Sequence, residues 1–145
     1  MSEGKSEGKK KYLVDPELLL DILSGRGDAR PCAMALLERH RGDEMVLAPT
    51  SYVALSAAFM GIRSMQDQFL KNLGITVTRN APAKVMDAAY AAWSAYQKEN
   101  PTVKGGMSVF DTLYIGAYAL LFDGILTRQG DLYRRYFDTL NVLEP

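Results

Sequence analysis

Short apolar runs alternate with amphipathic stretches along this chain. The runs Tyr12-Leu13-Val14, Met45-Val46-Leu47-Ala48, Ile75-Thr76-Val77-Thr78 and Ile125-Leu126 have strand length, and the third is β-branched. Asn141-Val142-Leu143 is a fifth candidate. Between them lie segments with helical spacing and helix punctuation. Asp15-Pro16-Glu17 opens one over residues 16–23, ending near Ser24-Gly25. A second spans residues 31–41, closed by Gly42. Thr50 or Ser51 caps a third that reaches Met60 and stops at Gly61. Ser64 and Asp67 have capping-box spacing for a fourth, which ends at Gly74. Residues 82–99 form a long helix whose stripe of Met86, Ala89, Tyr90, Trp93 and Tyr96 or Gln97 reads as core. Asn100-Pro101 stops it, and Gly105-Gly106 lets the chain turn. Residues 108–122 are apolar on nearly every side and predict a buried helix; residues 131–136 form the last one. Strands alternating with helices predict a three-layer α/β/α fold with a mainly parallel sheet of four to five strands.

A length of 145 residues suits one domain, here residues 12–145. Residues 1–11, rich in Gly, Ser, Glu and Lys, predict a disordered tail in which Lys9, Lys10 and Lys11 could touch phosphates. The apolar share of 48% supplies a core without staples. A formal net charge of zero argues against a globally basic nucleic-acid binder, though not against a local basic strip. The single cysteine, Cys32, falls in a helical segment and predicts a reduced, buried thiol. The lone His40 has no second histidine nearby and is a poor metal ligand candidate. No apolar run reaches membrane-spanning length and the N-terminus lacks a signal-like apolar segment, so no membrane partner and a cytoplasmic location are expected.

The candidate chemistry is acidic. Asp15 follows the first strand, Asp131 follows the fourth, and Asp111, near the start of the apolar helix, is expected at a third strand-to-helix junction. In a parallel sheet such junctions share one edge, where ligands bind. Each acid also has an ordinary structural role open to it. Asp15 and Asp131 suit helix starts, and Asp111 completes a capping box with Ser108. A carboxylate buried in an apolar helix needs a partner, however, and a metal ion or backbone amides would serve. Hard divalent ions prefer oxygen ligands, so Asp15, Asp111 and Asp131 are candidate Mg²⁺ or Mn²⁺ ligands. Thr127, Arg128 and Arg134 are candidate substrate contacts, with Arg135 as a further phosphate contact or surface charge. Tyr133 and Tyr136 suit either packing of the terminal helix or stacking on bases.

Three segments carry a resemblance. Tyr12-Leu13-Val14-Asp15-Pro16-Glu17-Leu18-Leu19-Leu20-Asp21-Ile22-Leu23 resembles the opening of PIN domains. Phe110-Asp111-Thr112-Leu113-Tyr114-Ile115-Gly116-Ala117 resembles their late helix, and Gly124-Ile125-Leu126-Thr127-Arg128-Gln129-Gly130-Asp131-Leu132 their closing segment. The nearest likeness is to the VapC-like toxin branch. That resemblance implies a Mg²⁺- or Mn²⁺-dependent ribonuclease acting on single-stranded RNA, with Asp15 and Asp111 as catalytic acids. It also implies a homodimer and a small antitoxin partner.

The chain departs from the family at acidic positions. Glu17 stands where Asn is usual and could partly restore the missing charge as a further metal ligand; Ala54 stands where the third helix carries Glu, and Gln129 where Asp follows Thr-Arg. The resemblance therefore implies a weakened acidic site, or a catalytically degenerate module that binds RNA or protein. A phosphoryl-acceptor aspartate is a third alternative, disfavoured because Pro16 starts a helix where a second acid would be needed and no paired acids precede it.

Overall fold

The computed structural model describes residues 9–80, 82–101 and 107–145; of residues 107 and 108 only the backbone is described. Most of the expected tail, the Gly105-Gly106 turn and the Ser108 cap lie outside the described residues. The order is β1 (Lys11–Val14), α1 (Pro16–Ser24), α2 (Ala29–Arg39), β2 (Glu44–Leu47), α3 (Pro49–Ala54), a 3₁₀ turn (Leu55–Phe59), α4 (Arg63–Leu73), β3 (Ile75–Val77), α5 (Ala83–Glu99), α6 (Met107–Ala119), β4 (Gly124–Leu126), α7 (Asp131–Tyr136) and β5 (Val142–Leu143).

The sheet has five strands in the order β3-β2-β1-β4-β5, and every pair is parallel. Leu13 sits opposite Val46 on one side and Ile125 on the other. Because side chains alternate across a strand, β1 feeds two cores. Tyr12 and Val14 pack with Leu18, Leu19, Leu36 and Leu70 under α1, α2 and α4. Leu13 packs with Ala89, Leu113, Tyr118 and Tyr133 under α5, α6 and α7. The three-layer α/β/α expectation is met, and helices on both faces explain why the strands read as continuous apolar runs. No helix among the described residues is long and apolar enough to cross a membrane.

Several local expectations need correction. The buried face of α5 is Val85, Ala89 and Ala92, while Met86 and Tyr90 are exposed. Close helix approach is made through small residues, and the larger ones are turned aside. Trp93 and Tyr96 are part-buried and stack on each other. The helix after β2 starts at Pro49 with Ala48 as its N-cap, so neither Thr50 nor Ser51 caps it. It gives way to a 3₁₀ turn before Met60, which takes a left-handed φ of 52° next to Gly61. Residue Ile62, not Ser64, is the N-cap of α4, and Asp67 instead accepts a hydrogen bond from the Tyr52 hydroxyl. Cys32 is exposed, because α2 turns Ala33, Leu36 and Leu37 inward and leaves the thiol outside. His40 packs edge-on against Tyr12 and meets Asp43 at 3.3 Å, a structural role.

Candidate functional site at the carboxyl edge of the sheet

From β1 the chain moves outward to β2 and β3, then returns to β4 on the opposite side of β1. This reversal opens a crevice at the carboxyl ends of β1 and β4, where α/β proteins of this kind bind ligands. Asp15 directly follows β1, and Thr127 directly follows β4. The Asp15 amide donates to the Leu126 carbonyl at 2.9 Å, tying the two strand exits together.

Asp15 is the N-cap of α1, with Pro16 opening the helix behind it. Its Oδ1 accepts from the Glu17 amide at 3.0 Å. Its Oδ2 accepts from the Thr127 hydroxyl and the Tyr133 phenol, each at 2.8 Å. The Thr127 hydroxyl in turn accepts from the Gln129 amide at 3.2 Å. Asp15 and Thr127 are buried, and so is Tyr133. Burial first, then the Asp15 charge and hydrogen bond, push the Tyr133 phenol far above its usual range. It therefore stays protonated and donates permanently. Three donors hold a buried carboxylate in one rotamer, and Oδ1, with a single donor, retains acceptor capacity.

Two cavities flank Asp15. The first has a volume of about 480 Å³; Asp15, Glu17 and Asp111 line it together with Ser51, Ala54 and an apolar wall of Leu20, Leu55, Phe110 and Ile115. The second, about 290 Å³, is lined by Asp15, Glu17, Thr127, Arg128, Gln129 and Asp131. Thr112 lines both. Asp15 and Asp111 thus share one cavity, Asp15 and Asp131 the adjoining one, and Ala54 and Gln129 face these same spaces.

Asp111 differs from expectation in two ways. It follows no strand, lying inside α6, and it is exposed. The argument from a buried carboxylate in need of a partner therefore does not apply to it. Phe110, Asp111, Thr112, Tyr114 and Ile115 of α6 line the cavity, while Leu113 and the residues from Ile115 to Ala119 are buried in the core.

Glu17 is not an unattached acid. Arg128 Nη2 contacts its carboxylate at 2.6 Å, and Arg128 Nε approaches Asp21 Oδ2 at 2.7 Å. That Asp21 oxygen is buried and lacks an aligned hydrogen bond, so the second contact is one of charge alone. Thr127 faces inward to Asp15 and works as a positioning group. Arg134 pairs with Glu144 at 3.3 Å and lines neither cavity. Arg135 and Tyr136 both bind Glu99, at 3.1 and 2.7 Å. The Tyr136 and Arg135 hydrogen bonds hold the Glu99 carboxyl below its usual range. Tyr133 is enclosed and has no face for a base.

Among the described residues no group of three or more His, Cys, Asp and Glu side chains is placed to hold a metal. Asp15 and Asp111 together supply two carboxylates. A Mg²⁺-like ion retains waters and takes one or two carboxylates plus substrate phosphate, so this donor set fits only a weakly held ion.

Two contributors escaped the sequence reading. Tyr133 reads there as packing or stacking, and its proximity to Asp15 arises only from the β1–β4 pairing. Ser51 reads as a helix cap, yet its hydroxyl is buried without a hydrogen-bond partner in the wall of the larger cavity. No family model, curated protein or solved structure matches the chain.

Proposed function

We propose that the chain is a PIN-like ribonuclease for single-stranded RNA with a weakened acidic site, built on Asp15 and Asp111. One observation carries this reading. The four positions at which the resemblance calls for acids are Asp15, Ala54, Asp111 and Gln129, and all of them border the two adjoining cavities. They come from four separate segments, so their convergence lends independent support to an alignment made on sequence alone. Asp15 and Asp111 would hold Mg²⁺ or Mn²⁺ together with the substrate phosphate. Such an ion, when bound, polarises the phosphodiester and stabilises the leaving oxygen. The Thr127 and Tyr133 hydroxyls keep the Asp15 carboxylate in place, and Arg128 offsets the charge of Glu17 and Asp21. With alanine and glutamine at the other two positions, ion binding and turnover are slow. Toxin activity, an antitoxin partner, a homodimer and a cytoplasmic site of action belong to the same proposal.

The test is cleavage of an unstructured RNA with Mn²⁺ by the wild type, by Asp111→Asn and by the pair Ala54→Glu with Gln129→Asp. Asp111 suits this purpose better than Asp15, because it is exposed and its replacement leaves the fold undisturbed. The expected order is restored pair above wild type, with Asp111→Asn inactive. Equal cleavage by wild type and Asp111→Asn would overturn the acidic mechanism. The apolar wall of the larger cavity and the missing acids favour a second reading, a degenerate module that binds RNA or protein. Absence of both cleavage and Mn²⁺ binding in wild type and restored pair decides for it.

A further inference from the structure

A single-stranded RNA needs cations opposite its phosphates, and the arginines that follow β4 are already paired. Arg128 is held by Glu17 and Asp21, Arg134 by Glu144 and Arg135 by Glu99. Unpaired arginines lie across α3. Thr50 and Ala54 of that helix line the larger Asp15 cavity, while Pro49, Tyr52 and Val53 turn to its other side. There they line a groove of about 740 Å³, shared with Arg63 of α4 and with Thr76 and Arg79 in and just after β3. Arg63 is built into place. Its Nε donates to the Tyr52 hydroxyl at 2.9 Å, and its guanidinium lies over the Tyr52 ring, 5.3 Å from the centroid. Tyr52 is fixed in turn. Its hydroxyl donates to Asp67 at 2.5 Å, and its carbonyl accepts from the buried Gln66 side chain at 2.7 Å. Among the described residues both Nη groups of Arg63 are left without a hydrogen-bond partner, and the Arg79 side chain has neither hydrogen bond nor ion pair. Asp67, already engaged by Tyr52, is the one acid lining the groove against these two cations.

We propose that this groove holds the phosphate backbone of the single-stranded RNA where it runs on over α3 from the Asp15 cavity, with Arg63 and Arg79 each taking a phosphate. This deepens the ribonuclease reading and rests on it for the identity of the strand. A stacked guanidinium with two free Nη groups matches phosphate oxygens bidentately, and holding it in place beforehand removes part of the ordering cost. A helix is about 10 Å across with its side chains, a width that a few extended nucleotides cover. The carboxylates of Asp15, Glu17 and Asp111 repel a backbone that no ion neutralises, so affinity comes from the groove and cleavage from the cavity. Phosphate contacts carry no base preference. RNA therefore binds without a metal, independently of sequence and with a strong dependence on salt.

The probe is a fluorescein-labelled oligouridylate of about twelve nucleotides, inside the range that single-strand sites occupy. Its anisotropy is followed with EDTA present, so that binding is read without metal or cleavage. Arg63→Gln and Arg79→Gln should each weaken binding by between about 1.5-fold and fivefold, the range of an exposed ion pair. Each should also lower the slope of log affinity against log salt by about 0.7, the share of one phosphate contact on a single strand, and the pair by about 1.4. The Arg79 side chain has no partner among the described residues, so its variant stays informative if Arg63→Gln disturbs α3. Arg63→Lys and Arg79→Lys keep the charge and should keep the slope. Arg39 on α2 is exposed and lies outside the groove, so Arg39→Gln should leave the slope unchanged. A slope unmoved by both groove variants, or moved as far by Arg39→Gln, overturns the proposal. Binding of a polyglutamate peptide through Arg63 and Arg79, with no binding of RNA, overturns it in favour of an acidic protein partner. The cleavage assay is a separate readout: metal-dependent cleavage with an unmoved slope removes the groove and keeps the nuclease, whereas groove-dependent binding without cleavage does the reverse.

Discussion

Replacing Thr127 with valine would isolate what holds the Asp15 carboxylate. The exchange keeps shape and removes one hydroxyl, which donates to Asp15 Oδ2 at 2.8 Å and accepts from the Gln129 amide at 3.2 Å. A hydrogen bond to a charged acceptor contributes about 1.5–3 kcal/mol net. Thr127 is fully buried, so water cannot take its place. Thr127→Val should therefore cost about 2–3 kcal/mol, and Tyr133→Phe, which removes the other donor to the same oxygen, about 1.5–3 kcal/mol. Because both act on Oδ2, the double variant should depart from additivity by about 0.5 kcal/mol or more. Thr127→Ser keeps the hydroxyl and should lose far less than valine. Urea denaturation reads these values directly; with a slope of about 2 kcal/mol per molar, Thr127→Val shifts the midpoint by roughly 1 M. A valine variant within about 0.5 kcal/mol of wild type would show that the carboxylate is not held as described, and the site's preorganisation would go with it. The same geometry changes the meaning of Asp15→Asn. Its side chain would have to satisfy a backbone amide on one side and two hydroxyls on the other, so this variant should lose stability as well as activity. Any comparison must use the folded fraction.

Two further outcomes follow from the packing and the charge. The Tyr133 phenol has a folded-state pKa raised above its unfolded value of about 10. Its stabilising contribution is thus fully present below about pH 10 and is lost as pH rises beyond it, by up to about 1.4 kcal/mol per pH unit. Tyr133→Phe should flatten that alkaline loss, as measured by denaturation between neutral pH and pH 11; an unchanged slope refutes the burial argument. Gly116 on α6 faces the Phe137 ring so closely that an added Cβ would enter it. Gly116→Ala should destabilise by about 1–3 kcal/mol despite alanine's better helix propensity, and a raised melting temperature would contradict it.

The strands were readable because a sheet covered on both faces demands unbroken apolar runs, and each run lies within a residue or two of its strand. Helix faces were harder. In α5 the large residues draw the eye, but Ala89 and Ala92 make the close approach while Met86 and Tyr90 face solvent. Size along a periodic stripe does not tell which of two neighbouring faces is inward. Asp15 was legible from its place between a strand and Pro16. Its partners were not, since Thr127 and Tyr133 lie 112 and 118 positions away and meet it only through strand order. Asp111 was placed near the right residues for a reason that fails, because its exposure follows from α6 being buried only in its later half.

The strand order also bears on when the site comes into being. β1 is made first and finishes in the middle of the sheet, between β2 and β4. Until residues 124–133 have left the ribosome, Asp15 has only its cap interaction, and the β4-facing edge of β1 lacks its strand. Closing so long a loop carries an entropic cost, and contacts this distant in sequence slow folding. The carboxylate network is therefore complete only after residues 124–133 have been synthesised. A chain truncated before Tyr133 would present the acid without its restraint, and vectorial synthesis by itself keeps the unfinished protein from having a finished site.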